Sequence, residues 1–471
     1  MTTLTSHNPA TGQAVYTGPI ADASTVNAAV DRARAAQTAW AAASADDRRA
    51  VIRRFAELVN QHKDDLAALI TTETGKLPWD AATEAAAVVA KAELSIQATD
   101  ALADPPVTLP TGTGHTVMRP LGVVAVLGPF NFPAHLPNGQ IIPALLAGNA
   151  VVFKPSDKAP AVAEWLATQW QHAGLPDNLL QVIQGAVPTA EALIDAPVNA
   201  VLFTGSHAAG QAIHRRLAGR LDVLLALELG GNNPLVIHPD ADATAAAYHA
   251  ATAAFAGAGQ RCNATRRLIL IDSPNTDAQR NALVDQTNAL RVGLPTDDPA
   301  PFVGPLINPA AADATLAAQQ SLIDQGATPL LTAHRDPRCA ALLSPAILDV
   351  TACTSLPDEE TFGPLLTITR APSLDAAYAR AADTRFGLAA ALLGGTPDDF
   401  AQFAARVPAG NVIHNGPTTG ASGKLPFGGL KHSGNHRPAG YHVAQHVADA
   451  TAQVTHHTLA LPDNPLPGTT N

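Results

Sequence analysis

Apolar residues fall at helical spacing through the first hundred positions and in short unbroken runs afterwards. Residues 23–43 place Ala29, Ala33 and Ala36 on one face, and residues 46–70 do the same with Val51, Ile52, Phe55, Leu58 and Val59. A third, alanine-rich helix is predicted over 80–100. DPPVTLPTG at 104–112 then breaks helicity, because its prolines fix φ and have no N–H to donate. Beyond it come GVVAVLGPF (122–130), NAVVFKP (149–155), LLQVIQG (179–185), AVLFTG (200–205) and VLLALELGG (223–231), with helical segments such as 160–173 and 207–218 between them. Strands apolar on both faces that alternate with helices predict a parallel sheet covered on both sides. That is a doubly wound α/β domain, whose ligands bind beyond the carboxyl ends of the strands. RRLILID (266–272) and ITRAPSLDAAYARA (368–381) belong to a second alternation and predict a second α/β domain. The Pro-rich tail LALPDNPLPGTTN is expected on the surface or against a partner subunit.

Composition narrows the class. With 471 residues, 46% hydrophobic and 15% charged, the chain suits a globular enzyme of two or more domains. A formal net charge of -11 argues against nonspecific binding to nucleic acid or anionic membranes, so an anionic ligand needs local cations. No apolar run approaches the length of a membrane span, and MTTLTSHNPATGQAV has neither a basic nor an apolar leader region. The three cysteines, Cys262, Cys339 and Cys353, form no CxxC pair. Neither a disulfide framework nor a metal site is expected, and a cytoplasmic location is.

Five places carry candidate chemistry. In GAGQRCNAT, Cys262 follows Gly257, Gly259 and Arg261. It reads equally as a small buried hydrophobe or as a nucleophile whose thiol pKa is depressed by Arg261. Glu228 ends an apolar strand, where desolvation would raise its pKa and fit it as a base for water; an edge glutamate is the plainer reading. Asn131 in GPFNFP could donate to a developing oxyanion or simply stabilise its own turn. FTGSHAAGQAIHRRL runs a strand through Gly205, Ser206 and Gly210 into a helix, a phosphate-binding arrangement without the dinucleotide fingerprint. Lys154 and Asp157 in VVFKPSD could hydrogen-bond ribose hydroxyls, and Asp157 would repel a 2′-phosphate, favouring NAD over NADP. Singly, each of these two reads as a solvated loop residue.

Taken together, NPATGQAV, GPFNFP, LLAGNAVVFKPSD, FTGS, LELGG, GQRC, EETFGPLL and PFGGLKHSG stand in an order and spacing that resemble the aldehyde dehydrogenase superfamily through nearly the whole chain. NFPAHLPNGQ, ELGGNNPL, PDEETFGPLL and SGNHRP resemble more narrowly the branch that oxidises N-succinylglutamate 5-semialdehyde in arginine catabolism. The resemblance implies a fold of two doubly wound α/β domains with a small β oligomerisation element. Residues 1–104 and 121–229 would form an NAD-binding domain and 230–440 a catalytic domain. Residues 105–120 and 441–471 would supply the bridging element and tail, and assembly would be as a homodimer or homotetramer. It also implies that Cys262 is the nucleophile, Glu228 the general base and Asn131 the oxyanion donor. Lys154 and Asp157 would contact the adenosine ribose, Ser206 the pyrophosphate, and Glu360 and Phe362 the nicotinamide ribose and ring. The family's acidic residue is more often Glu, so the shorter Asp157 reaches less far.

An aldehyde carrying two further carboxylates needs cations able to pair with them. Arg261 is the first candidate, and His436 and Arg437 of SGNHRP are the next. Other readings are oxidation of succinate semialdehyde or 4-aminobutanal, release of the thioester to CoA, which Glu228 argues against, and a non-catalytic protein on the same fold.

Overall fold

The computed structural model describes residues 3–110, 112–459, 467 and 468. Most of the Pro-rich tail therefore lies outside the described residues. Two largely parallel sheets dominate. The first has five parallel strands in the order Leu180–Val182, Ala150–Lys154, Val123–Leu127, Ala200–Thr204, Leu224–Glu228. Val123–Leu127 and Ala150–Lys154 are buried along their whole length, as continuous apolar runs demand. Helices cover this sheet, and Val26, Phe55, Ile70 and Val88 of the first four helices join its strands in one apolar core.

The second sheet has seven strands, ordered Thr328–Leu331, Ala346–Asp349, Leu365–Ala371, Thr265–Ile271, Asn233–Ile237, Ala389–Leu393, Asn411–His414. All its pairs are parallel except the first, at the edge. Alternation along the strands divides its side chains between two cores. Leu235, Ile237, Leu268 and Leu270 pack on one side, while Val236, Ile269 and Ile271 pack on the other against Tyr378 and Phe403. The fold is the α/β arrangement expected. A separate antiparallel sheet joins Val107–Leu109, Gly112–Pro120 and Ala448–His456.

Two local departures are instructive. The helix expected over 46–70 is two helices, Ala45–Gln61 and Lys63–Thr74, broken where His62 leaves helical geometry at φ -112° and ψ 24°. Asp64 and Asp65 then stand in the first turn of the new helix, where carboxylates favour a start. The stretch 368–381 is the end of strand Leu365–Ala371 followed by helix Leu374–Ala382, which Ser373 caps by accepting from the Ala376 N–H.

Candidate active site

A cleft of about 1920 Å³ runs between the carboxyl ends of the first sheet's strands and the amino ends of strands Thr265–Ile271 and Leu365–Ala371 of the second. Its lining includes Asn131, Lys154, Asp157, Gly205, Ser206, Glu228, Arg261, Cys262, Glu360 and Phe362, which the chain order scatters over more than 200 positions.

Cys262 sits on the turn between the glycine-rich segment and strand Thr265–Ile271. Gly257, Ala258 and Gly259 all take left-handed backbone, with φ of 63°, 56° and 71°. Glycine is required at 259 on a second count, because a Cβ there would meet the Gly363 carbonyl. The glycines thus shape the approach to the thiol rather than loosen it. Asn233 clamps the other side of the turn, its Nδ2 donating to the carbonyls of Cys262 and Ala264, both at 2.8 Å. Burial pushes the Cys262 thiol up to about 12, and the Glu360 and Glu228 carboxylates add to the shift. The Asn263 N–H and the Arg266 guanidinium pull the other way. Arg266, rather than Arg261, is the arginine whose charge opposes the rise. Arg261 turns instead to Asp80, with Nη2 2.5 Å from its carboxylate, and its guanidinium lies over the Phe132 ring.

Glu228 is the last residue of its strand, in register with Thr204 at the end of the neighbouring one. Its carboxyl is buried and accepts one hydrogen bond, from the Ala439 N–H at 3.1 Å, while Oε2 has none. Desolvation therefore raises its pKa well above the ordinary carboxylate value. Asn131 spends one amide hydrogen on the Gln260 carbonyl at 3.0 Å, which keeps the second available. Glu360 is held between Arg266, 3.6 Å away, and the Gly231 N–H; burial still lifts its pKa to about 7. Phe362 meets Phe130 edge-on, with centroids 5.9 Å apart.

At the other end of the cleft, Lys154 Nζ donates to the carbonyls of Pro155 and Gly185, and burial lowers its pKa to about 8. Asp157 pairs with Lys158 at 2.8 Å. Ser206 caps helix His207–Leu217 by accepting from the Ala209 N–H, and helix geometry leaves the first two N–H groups without intrahelical acceptors. Gly210 plays a different part from the one expected. It does not line the cleft but lies buried where a Cβ would collide with Leu229, so its small size serves helix packing. His436 and Arg437 are exposed and do not line the cleft either. Backbone placement separates them from it, since His436 turns the chain in left-handed geometry at φ 67°. Among the described residues, no group of three His, Cys, Asp or Glu side chains is placed to hold a metal ion.

A thiol, a carboxyl of raised pKa and an amide donor in one cleft can form and hydrolyse a covalent acyl intermediate. The model of the aldehyde dehydrogenase family matches residues 1–452. The chain belongs to the aldehyde dehydrogenase family. N-succinylglutamate 5-semialdehyde dehydrogenase of Paraburkholderia xenovorans is 46% identical over 466 residues, covering 98% of this chain and 96% of that one. The same-named enzyme 1 of Caulobacter vibrioides is 47% identical over 448 residues, covering 94% of each. Among solved structures, an NAD-dependent aldehyde dehydrogenase from Sinorhizobium meliloti superposes with a TM-score of 0.92 at 28% identity, covering 98% of this chain and 93% of that one. An NADP-dependent glyceraldehyde-3-phosphate dehydrogenase from Bacillus halodurans, complexed with NADP, gives 0.91 at 26%, covering 97% and 96%.

In this aldehyde dehydrogenase the sequence reading missed Arg266 and Asn233. Arg266 is buried in the strand RRLILID, where an arginine entering an apolar run signals an internal partner. Asn233 opens an apolar strand in the same way, and its side chain ties that strand to the thiol turn and to the Ala389 N–H.

Proposed function

We propose that this enzyme oxidises N-succinylglutamate 5-semialdehyde to N-succinylglutamate, with Cys262 as nucleophile and NAD as the cofactor. The observation that carries the reading is the gathering of Cys262, Asn131 and Glu228 in one cleft of a chain so similar, over nearly its full length, to enzymes named for that substrate.

The residues present fit a nicotinamide dinucleotide. Ser206 and the open helix start offer N–H groups to a pyrophosphate. Lys154 and Asp157 stand beside them for a ribose. Glu360 Oε1 is buried without a hydrogen bond, a free acceptor for a second ribose hydroxyl. Asp157 disfavours a 2′-phosphate, and its pairing with Lys158 makes that preference graded rather than absolute.

Glu228, uncharged at low pH and basic once ionised, takes the proton of the Cys262 thiol. The thiolate attacks the aldehyde carbon, and the free Asn131 N–H with the Cys262 peptide N–H receives the oxyanion of the thiohemiacetal. The chemistry that a bound nicotinamide supplies is acceptance of hydride from that carbon. Glu228 gives that first proton up to solvent and, ionised again, takes a proton from water, whose oxygen attacks the thioester carbon; the carbon–sulfur bond breaks and Cys262 leaves as thiolate. Self-association through the three-stranded antiparallel sheet belongs to the same reading.

The test is NADH formation with N-succinylglutamate 5-semialdehyde, succinate semialdehyde and propanal, repeated with NADP. A strong preference for the first aldehyde and for NAD is expected. Even activity over the three aldehydes would overturn the substrate.

A further inference from the structure

A substrate with two carboxylates has to find cations inside the cleft, yet several basic side chains there already face an acid. Arg261 is held by Asp80 at 2.5 Å and Lys158 by Asp157 at 2.8 Å. Arg266 lies 3.6 Å from Glu360, and Arg385 3.5 Å from Glu359. Lys91 differs from all of them. It projects from the middle of helix Pro78–Asp100, is 4% exposed and lines the cleft. Its Nζ donates to the Gly440 carbonyl at 2.7 Å, and among the described residues no carboxylate pairs with it. An ammonium has three hydrogens to give, so two remain unassigned.

Burying a cation without a counter-ion is costly, and a chain keeps one where a ligand supplies the anion. Desolvation lowers the Lys91 pKa to about 8, so the charge persists at neutral pH. Its neighbour His135, partly buried, has its own pKa pushed down to about 4, chiefly by desolvation and further by Lys91 and Lys76, and stays neutral beside it. Gly139 faces the Lys91 side chain, where a Cβ would stand 3.8 Å from Lys91 Cε. Gly440 follows Ala439, whose N–H holds the Glu228 carboxylate, so Lys91 is anchored one residue from the contact that orients the base.

We propose that Lys91 receives a carboxylate of the aldehyde substrate and thereby sets the enzyme's preference for acidic aldehydes; this rests on the substrate reading above. Lys91→Met should raise KM for N-succinylglutamate 5-semialdehyde on the order of 30-fold, the scale of a lost charged hydrogen bond. Its effect on kcat/KM for propanal should be far smaller, about threefold. Equal losses with both aldehydes, or none with either, would overturn the proposal. So would a fall in kcat shared by both with a displaced pH profile, which would make Lys91 a partner of Glu228. If the Met variant does not fold by its thermal melt, Lys91→Gln, able to keep the bond to Gly440, carries the same comparison. Failure of the substrate assignment shows separately, in the unaltered enzyme. Preference for another carboxylated aldehyde such as succinate semialdehyde removes that assignment, and the KM test run with it still decides Lys91. No preference for carboxylated aldehydes at all overturns both.

Discussion

At one end of the cleft the polar groups come from the tips of parallel strands: Lys154 closes Ala150–Lys154, Ser206 follows Ala200–Thr204, and Glu228 closes Leu224–Glu228. At the other end they come from the interior of helix Pro78–Asp100, whose buried face carries Asp80, Glu84 and Lys91 among alanines. Two lysines sharpen the contrast, since burial lowers both to about 8. Lys154 donates to two carbonyls and has Asp157 nearby, whereas Lys91 donates to one carbonyl and, among the described residues, pairs with no acid. Lys154 is thus largely satisfied before a ligand arrives, and Lys91 is not. Cys262 stands between the two ends, with Glu228 and Glu360 both raising its pKa.

The largest expected effect is at that midpoint. With Cys262 as the proposed nucleophile, Cys262→Ala should lower kcat by about 10⁴-fold or more in an NADH assay. Turnover that survived would move the chemistry to one end or the other and break the comparison. Glu228→Gln keeps the shape of the strand tip but cannot accept a proton. It should slow thioester hydrolysis by about 10²–10³-fold, seen as a burst of NADH followed by a slow steady state. Loss of the burst as well would mean that no other group can take the thiol proton. Lys154→Met should raise KM for NAD by about tenfold, the scale of a charged hydrogen bond, while leaving KM for the aldehyde nearly unchanged. A rise in both would show that the two ends do not act separately.

The same contrast explains what could be read from the chain. Strand tips are legible because a polar residue closing an apolar run has few reasons to be there, so Glu228, Lys154 and Ser206 stand out. The glycines before Cys262 and the alternation of runs and helices were legible for similar reasons. A helix interior hides its buried polar residues, because period alone does not tell Lys91 from the exposed lysines of an amphipathic surface. The partner of Arg261 was hidden in the same helix: Asp80 lies 181 positions earlier, and only the fold brings the two together. Gly210 misled because a glycine at a helix start looks alike whether it admits a phosphate or another side chain. His436 and Arg437 looked close to the site through their motif, but the chain turns them outward.

The smallest effect concerns Glu360, which couples the thiol to the strand-tip end. Its carboxyl has a pKa of about 7, raised from 4.5 chiefly by burial despite Arg266. A group whose pKa is higher in the folded protein favours folding most below the unfolded value, and that contribution is lost as pH rises through the folded one. The window here is about 4.5 to 7, and above it the buried carboxylate is a net cost. Glu360→Gln should therefore raise the melting temperature at about pH 8, by the equivalent of about 1–3 kcal/mol, with little gain at about pH 4. Removing the charge should also let the Cys262 thiol ionise more readily, so alkylation by iodoacetamide in the absence of cofactor should quicken several-fold at the same alkaline pH. A variant that gained stability without faster alkylation would place Glu360 with the strand-tip end alone. Faster alkylation without the stability gain would mean that Arg266, left without its partner, costs as much as the carboxylate did.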